Sequence, residues 1–173
     1  MIIQSASPET TRTLGAALAK AITQLSSKLP LVIALNGELG AGKTTFVGGL
    51  LRELGVTGPV RSPTYTLIEP YQLGVEQDSM PSRVYHIDLY RLADASELEM
   101  LAPRDLLEPG AVLLVEWAER GGRALPTPDL SITLAYPQTE STERTINIEP
   151  GSSAGRVLAT SLHQVANEVR LSP

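Results

Sequence analysis

The chain has 173 residues, 42% of them hydrophobic and 19% charged, a balance typical of one globular domain spanning residues 1–173. The chain has a net charge of −5, whereas binding to the negatively charged backbone of a nucleic acid needs a positive surface. We therefore expect any RNA to be bound by another subunit. The absence of cysteine excludes disulfides and thiolate metal sites. With no signal-peptide pattern and no run of about twenty apolar residues, a soluble cytoplasmic protein is the expectation.

The first half of the chain reads as helix, strand, glycine-rich loop and helix. A serine–proline pair at residues 7–8 is typical of a helix start, and the apolar spacing that follows predicts a helix over 8–27. The apolar run 31–35 predicts a strand buried on both faces. It leads into the glycine-rich segment 37–45, after which a second helix is predicted to end near Gly55.

The second half continues the alternation of strands and helices. The predicted elements are strands over 65–71 and 83–89, a short helix over 94–107, a buried strand over 111–115, strands over 130–136 and 144–149, and a last helix with apolar residues in register from Leu158 to Val169. Alternating apolar and polar residues in the last two strands indicate a half-exposed antiparallel pair. The order of elements predicts an α/β sheet covered by helices.

The glycine-rich segment carries the pattern G-x-x-x-x-G-K-[ST], formed by Gly37, Gly42, Lys43 and Thr44. Glycines let the backbone amides curl toward phosphate oxygens, and the helix that follows points its positive end at the same anion. The pattern predicts that Lys43 reaches the β- and γ-phosphates and that the Thr44 hydroxyl binds Mg²⁺. A buried strand before the loop and a helix after it supply the context that this P-loop motif requires.

Several classes of P-loop protein lack their markers here. Neither Asn-Lys-x-Asp nor a strand followed by Asp-x-x-Gly occurs, which argues against a GTPase, and the ABC signature is missing. The chain is too short for a helicase or a AAA module. A small-molecule kinase has the same size and loop and stays an alternative, although no arginine-rich lid is evident; a nucleotide-dependent binding switch is a third possibility.

Four segments in order resemble the bacterial TsaE family of ATPases, which serve in tRNA threonylcarbamoyladenosine synthesis. They are Gly37-Glu-Leu-Gly-Ala-Gly-Lys-Thr-Thr-Phe46, Ser62-Pro-Thr-Tyr-Thr-Leu67, His86-Ile-Asp-Leu-Tyr-Arg91 and Val115-Glu-Trp-Ala-Glu-Arg120. The resemblance runs from the first helix to about Tyr136.

The resemblance implies a P-loop NTPase three-layer sandwich, with a parallel core sheet flanked by antiparallel strands. It implies binding and slow hydrolysis of ATP with Mg²⁺. It also implies a partner, the TsaB–TsaD heterodimer, in which TsaD transfers the threonylcarbamoyl group to adenosine 37 of tRNAs that read codons beginning with A. tRNA would then be met only through the complex.

Two acids, Asp88 and Glu116, stand at the ends of predicted strands, where a P-loop site needs carboxylates. One would hold Mg²⁺ and the other would orient or deprotonate the attacking water. The more apolar strand before Glu116 favours that residue beside Mg²⁺. The resemblance instead implies that Asp88 binds Mg²⁺ and that Glu116 lies near the water, and we adopt this expectation. The alternative to a functional role is that either acid only caps a neighbouring helix or pairs with an arginine.

The resemblance extends the predicted site beyond the loop. Thr64 would be a switch residue whose hydroxyl contacts Mg²⁺ and the γ-phosphate, unless it is an ordinary threonine at a strand entrance. Trp117 would line the nucleotide or partner surface or anchor a core, and Thr11 would lie near adenine. The predicted nucleotide-binding residues are Gly37, Glu38, Leu39, Gly40, Ala41, Gly42, Lys43, Thr44, Thr45, Thr64, Trp117 and Thr11; the predicted catalytic residues are Lys43, Asp88 and Glu116; the predicted Mg²⁺ ligands are Thr44, Thr64, Asp88 and Glu116.

Three further polar residues lie in or near these motifs. Arg91 and Arg120 are expected to pair with Asp88 or Glu116 or to meet the partner, whereas His86 is interpreted as a packed strand residue. Gly48 stands where TsaE-like sequences often carry a basic residue, and together with Gly49 it weakens a helix by about 1 kcal/mol per glycine. Close packing against the sheet is expected to compensate. The connection 72–82 is longer than usual and is expected to be a mobile hairpin tip.

Overall fold

The computed structural model describes residues 1–25, 29–73, 81–136 and 143–171. The strands are β1 (Ile2–Ser5), β2 (Leu31–Asn36), β3 (Ile68–Gln72), β4 (Arg83–Asp88), β5 (Ala111–Glu116), β6 (Leu130–Ala135) and β7 (Arg144–Pro150). The helices are α1 (Pro8–Thr23), α2 (Lys43–Glu53), α3 (Ala95–Met100) and α4 (Ser153–Leu171), with 3₁₀ turns at Pro103–Leu106 and Ala118–Gly121. None of the helices in the described ranges is long and apolar enough to cross a bilayer.

The strands form one sheet in the order β1-β7-β6-β2-β5-β4-β3. Neighbouring strands from β6 to β4 run parallel, whereas β7 and β1 on one side and β3 on the other pair antiparallel. The predicted α/β fold, with a parallel core flanked by antiparallel strands, is confirmed. The carboxyl ends of β2, β4 and β5 therefore meet at one edge of the sheet, which is where the P-loop leaves β2.

Each face of the sheet has its own apolar layer. On the first face, Ile33 and Leu35 of β2 pack with Leu18 of α1 and Phe46 of α2. On the second face, Ala34 of the same strand belongs to a cluster with side chains of β4, β5 and the segment around the 3₁₀ turns. Successive residues of a strand point to opposite faces, so β2 and β5, which are buried on both sides, are apolar up to their last residues, Asn36 and Glu116.

Several boundaries differ from the sequence-based expectation for identifiable reasons. The helix predicted over 94–107 is interrupted, because Ala102 precedes Pro103 and takes a left-handed conformation with φ of 45°. The strand predicted from Tyr65 begins only at Ile68, since the chain turns at 64–67 and Leu67 has φ of 63°. The first helix ends at Thr23, ahead of residues 26–28, which lie outside the described ranges.

Two further points of comparison with the sequence-based expectation are strand β1 and the connection 72–82. The strand β1 was not predicted, because four residues with two exposed side chains carry too little periodicity to be recognised. The long connection falls largely on residues 74–80, outside the described ranges, so the mobility expected for it stays a prediction.

Candidate functional site: the P-loop and its two buried acids

The P-loop leaves β2 and closes onto the first turn of α2. Gly37, Gly40 and Gly42 have positive φ of 128°, 76° and 108°, conformations that a side chain would strain. At Gly37 a Cβ atom would also come within 2.1 Å of the carbonyl oxygen of Leu134, so β6 permits only glycine there. Gly42 is the N-cap of α2 and has no side chain to cap it, which leaves the first amides of the helix suited to an anion.

Lys43 is the first residue of α2, and its ammonium group is held inside the curve of the loop. It donates to the carbonyl oxygens of Gly37 at 2.7 Å and Glu38 at 2.9 Å, and it lies 3.8 Å from the centre of the Trp117 ring. Burial lowers the pKa of this ammonium group below its ordinary value, while the carboxylates of Glu116, Glu119 and Asp88 act in the opposite direction. The site thus holds a cation in a desolvated position among acids.

The two predicted acids lie side by side at the carboxyl ends of neighbouring parallel strands. Asp88 of β4 is in register with Glu116 of β5, and each is only 2% exposed. Both side chains share the sheet face on which α2 packs, so they stand next to the P-loop. The structure therefore brings together the lysine, the loop and both carboxylates that the sequence predicted as a site.

The two acids differ in their hydrogen-bond partners. Asp88 accepts hydrogen bonds from the hydroxyl groups of Ser62 and Thr64, the latter at 2.9 Å, and from the backbone N–H of Tyr90 at 2.8 Å. Glu116 instead accepts from the hydroxyl of Thr44, whose Oγ1 is 2.9 Å from both carboxylate oxygens. The threonine predicted to bind Mg²⁺ is thus hydrogen-bonded to Glu116, and the threonine predicted as a switch is hydrogen-bonded to Asp88.

His86 is a member of this cluster that the sequence-based interpretation missed. Its Nε2 atom lies 2.8 Å from Oε1 of Glu116, and the histidine is fully buried. Its Nδ1 atom is buried without a hydrogen-bond partner among the described residues. The signal was present in the sequence: His86 is two residues before Asp88 on the same strand, so both side chains point to the face that carries Glu116.

Trp117 lies beside Lys43 and is in contact with Tyr90 and Arg120. Trp117 is half-buried, has φ of 58°, and donates its backbone N–H to the carbonyl oxygen of Leu35 at 2.9 Å. Its ring contacts that of Tyr90 with centroids 5.1 Å apart, and the Arg120 guanidinium lies 5.5 Å from each ring centre and donates to the Tyr90 carbonyl. The other arginine, Arg91, stacks at 4.3 Å on the exposed ring of Tyr65.

On the other side of the loop, Thr11 of α1 is buried beside the P-loop. Its hydroxyl is 2.8 Å from that of Ser5. It lines a cleft of about 100 Å³ whose other walls are Pro8, Gly40, Ala41, Gly42, Thr45 and Arg144. Two residues outside the predicted site fasten the loop there: Tyr136 donates to the Leu39 carbonyl at 3.2 Å and Arg144 donates to the Ala41 carbonyl at 3.2 Å.

The oxygen donors of the site fit Mg²⁺ only as part of a nucleotide complex. Within the described residues, no group of three or more histidine, cysteine, aspartate or glutamate side chains could hold a metal alone. A threonine hydroxyl next to a carboxylate, where a phosphate-binding loop enters its helix, is however the donor set with which proteins hold Mg²⁺ together with phosphate oxygens. The residues present therefore match a Mg²⁺–nucleotide site rather than a resident metal centre.

Comparison with known proteins places this arrangement in a family. The model of the family described as "Threonylcarbamoyl adenosine biosynthesis protein TsaE" matches residues 5–146. The chain belongs to the TsaE family. The match includes the P-loop, both acids, His86 and Trp117, and it confirms the resemblance inferred from the four sequence segments.

Individual TsaE relatives agree with this assignment. The tRNA threonylcarbamoyladenosine biosynthesis protein TsaE of Haemophilus influenzae is 40% identical over 122 residues, which cover 70% of this chain and 73% of that protein. The Bacillus subtilis protein of the same name is 40% identical over 126 residues, or 71% and 75% of the two chains. The crystal structure of Bacillus subtilis YdiB shares the fold with a TM-score of 0.69 and 28% identity, covering 95% of each chain.

Proposed function

We propose that this TsaE-family chain is a Mg²⁺-dependent ATPase that serves as an accessory subunit in the modification of tRNA adenosine 37 to threonylcarbamoyladenosine. The observation that carries the proposal is the convergence of Lys43, Thr44 and two buried carboxylates on one P-loop. A structural glycine turn has no need of a buried lysine or of two adjacent acids that are almost fully desolvated, since buried charges are costly unless they serve a site.

The chain's own groups account for binding and orientation of the nucleotide. The loop amides and the ammonium group of Lys43 bind phosphate oxygens, and we place the base in the cleft beside Thr11, which adjoins the loop at Gly40 to Gly42. Mg²⁺, when bound with the nucleotide, supplies charge neutralisation on the phosphates. The carboxylate that does not face the ion orients the attacking water and takes its proton.

The hydrogen bonds favour Glu116, rather than Asp88, as the acid on the Mg²⁺ side. The Thr44 hydroxyl is hydrogen-bonded to both oxygens of Glu116 at 2.9 Å, so these two residues would hold Mg²⁺ between them, and the ion would neutralise charge on the phosphates. This division is opposite to the one implied by the resemblance and agrees with the strand pattern. Asp88 accepts hydrogen bonds from Ser62 and Thr64 and, in this division, orients the attacking water. It therefore links the 62–67 segment to the position of that water.

The family assignment supports the cellular role. TsaE relatives are named for tRNA threonylcarbamoyladenosine biosynthesis. We place this chain with a TsaB–TsaD heterodimer in the cytoplasm, where it supplies ATP turnover to the cycle while another subunit holds the tRNA. The acidic surface of the chain is consistent with that division of labour.

The test is ATP hydrolysis by the purified chain, alone and with the TsaB–TsaD pair, with Lys43→Ala as the control. We expect slow ATP turnover by the chain alone and faster turnover when the pair is added. Lys43→Ala should abolish both the slow and the stimulated turnover, since Lys43 carries the positive charge inside the loop. If ATP turnover does not change when the pair is added but rises with a small-molecule acceptor, the chain is a kinase rather than an accessory ATPase.

The division between the acids is tested by calorimetric titration of ATP with and without Mg²⁺. We expect Glu116→Gln to lose most of the Mg²⁺-dependent gain in affinity, and Asp88→Asn to keep that gain while turnover falls. The reverse pattern would return Asp88 to the metal side.

A further inference from the structure

A second cavity lies on the face of the sheet opposite to the P-loop. It measures about 500 Å³, and its walls include Ala34 and Asn36 of β2 and Ser131 of β6. Ala34 belongs to the second apolar cluster, whereas α2 packs on the first, so the sheet separates this cavity from the phosphate site. Its other wall is the chain around the 3₁₀ turns, which contributes Arg104, Glu119 and Arg123.

Two arginines are among the residues that line this cavity. Arg104 and Arg123 are exposed, and Arg104 donates to the backbone carbonyl of Arg123 at 3.3 Å, which holds the two residues together. In the described part of the chain neither arginine forms a salt bridge. Glu119 is the one carboxylate among the lining residues, so the rim carries a net positive charge in a chain whose overall charge is −5.

Asn36, at the end of β2, is another lining residue of this cavity. Its Oδ1 atom is buried and has no hydrogen-bond partner among the described residues. A buried acceptor without a partner costs stability, and such groups are ordinarily paired with protein, water or ligand. The hydroxyl groups of Thr127 and Ser131 add further polar contacts, while Leu125 and Pro126 give the cavity an apolar wall.

We propose that this cavity, the Asn36–Arg123 cleft, binds a small organic anion that carries a hydroxyl group. The forked guanidinium groups of Arg104 and Arg123 bind its carboxylate or phosphate, and Asn36 Oδ1 accepts a hydrogen bond from its hydroxyl. Because the sheet lies between the two sites, the anion binds together with nucleotide rather than in competition with it. Asn36 immediately precedes Gly37, so the ligand adjoins the root of the P-loop.

The experiment uses citrate and glycerol 3-phosphate as probes. Their binding is measured from changes in the amide chemical shifts of the full chain. The Lys43→Ala variant removes anion binding at the P-loop, and it should still bind a probe at the Asn36–Arg123 cleft. We expect shifts clustered at residues 118–131, and the double variant Arg104→Gln/Arg123→Gln should bind at least about tenfold more weakly. Arg156→Gln, which removes an exposed arginine from α4, is the charge control and should bind as the wild type does.

The role of Asn36 is separated from that of the arginines by comparing citrate with tricarballylate, which lacks only the hydroxyl group. The wild type should prefer citrate, and Asn36→Ala should lose that preference while still binding both. A response to citrate alone identifies a carboxylate ligand, and a response to glycerol 3-phosphate alone identifies a phosphate ligand. Shifts that stay at residues 37–45 and vanish in Lys43→Ala, or equal binding by the double arginine variant, would overturn the proposal.

Discussion

His86 has the most unusual environment of any polar residue near the P-loop. It is fully buried on β4, and in the described ranges its side chain has one hydrogen bond, the 2.8 Å contact with Glu116. An ionised carboxylate can only accept, so the imidazole donates from Nε2 and fixes the orientation of Glu116. A residue that hydrogen-bonds to a metal-binding side chain and orients it often changes activity by about tenfold or more, and Glu116 is the acid that we place on the Mg²⁺ side. We therefore assign His86 a positioning role.

Replacing His86 by leucine should lower kcat for ATP hydrolysis by about tenfold or more, because Glu116 loses the donor that orients it. The Mg²⁺-dependent gain in ATP affinity should also fall, but less than in Glu116→Gln, since the carboxylate, the loop and Lys43 are all still present. His86→Gln keeps an N–H donor and should recover part of the rate. His163→Leu, a change at the exposed histidine of α4, is the matched control; equal loss in the leucine and glutamine variants would mean that His86 only fills space.

The sequence was sufficient for the residues of the loop and for the positions of the two acids. The P-loop pattern fixes its own geometry, and apolar runs that end in an acid mark the carboxyl ends of strands. The partners of those acids were not predictable in the same way. Whether Thr44 faces Asp88 or Glu116 depends on how β4, β5 and α2 pack, and the fastening of the loop by Tyr136 and Arg144 joins residues about a hundred positions apart.

At the scale of elements, the contact between α1 and α2 explains the glycines inside α2. A Cβ atom at Gly49 would lie 2.1 Å from the Arg12 carbonyl oxygen, and one at Gly15 would lie 2.1 Å from the Phe46 carbonyl oxygen. The expectation that these glycines of α2 pack against the sheet is wrong for Gly49, which packs against the backbone of α1. Gly48 differs, since a Cβ atom there would only touch Val60 at 3.8 Å.

These neighbouring glycines should therefore respond oppositely to alanine. Gly48→Ala should raise the free energy of unfolding by up to about 1 kcal/mol, because alanine is the better helix former and has room. Gly49→Ala should lower it by about 1 to 3 kcal/mol, because the two helix backbones must move apart. Urea unfolding of both variants measures the difference, and a stabilised Gly49→Ala protein would show that the α1–α2 contact is looser than described.

Element boundaries were predictable where one local rule acts alone and not where two compete. The start of α1 followed from Ser7 and Pro8, and the Ser7 hydroxyl does accept from the Thr10 amide at 3.1 Å. Helical spacing and the proline rule conflict at Ala102, and the proline rule prevails. The edge strand β1 exists because β7 supplies its hydrogen bonds, a cause that lies outside its own four residues.

At the scale of the whole molecule, the sheet divides the protein into two chemically different sides. The P-loop, Lys43 and the acids gather on the side covered by α1, α2 and α4. The Asn36–Arg123 cleft opens on the other side, which also carries Ser131, a half-buried polar residue of β6. The α/β class followed from the alternation of elements, but the strand order did not, because pairing between distant strands leaves no local mark.

The charge of the whole chain leads to a last prediction, on tRNA. With 19 acidic and 14 basic side chains, the chain lacks the excess of cations from which non-specific affinity for nucleic acid arises. At about 0.15 M salt we expect no micromolar binding of fluorescently labelled tRNA by the chain alone, measured by anisotropy, and clear binding once the TsaB–TsaD pair is present. Salt-sensitive binding by the chain alone that disappears in Arg104→Gln/Arg123→Gln would instead make the Asn36–Arg123 cleft part of an RNA surface. Binding that the pair does not improve would contradict the view that another subunit holds the tRNA.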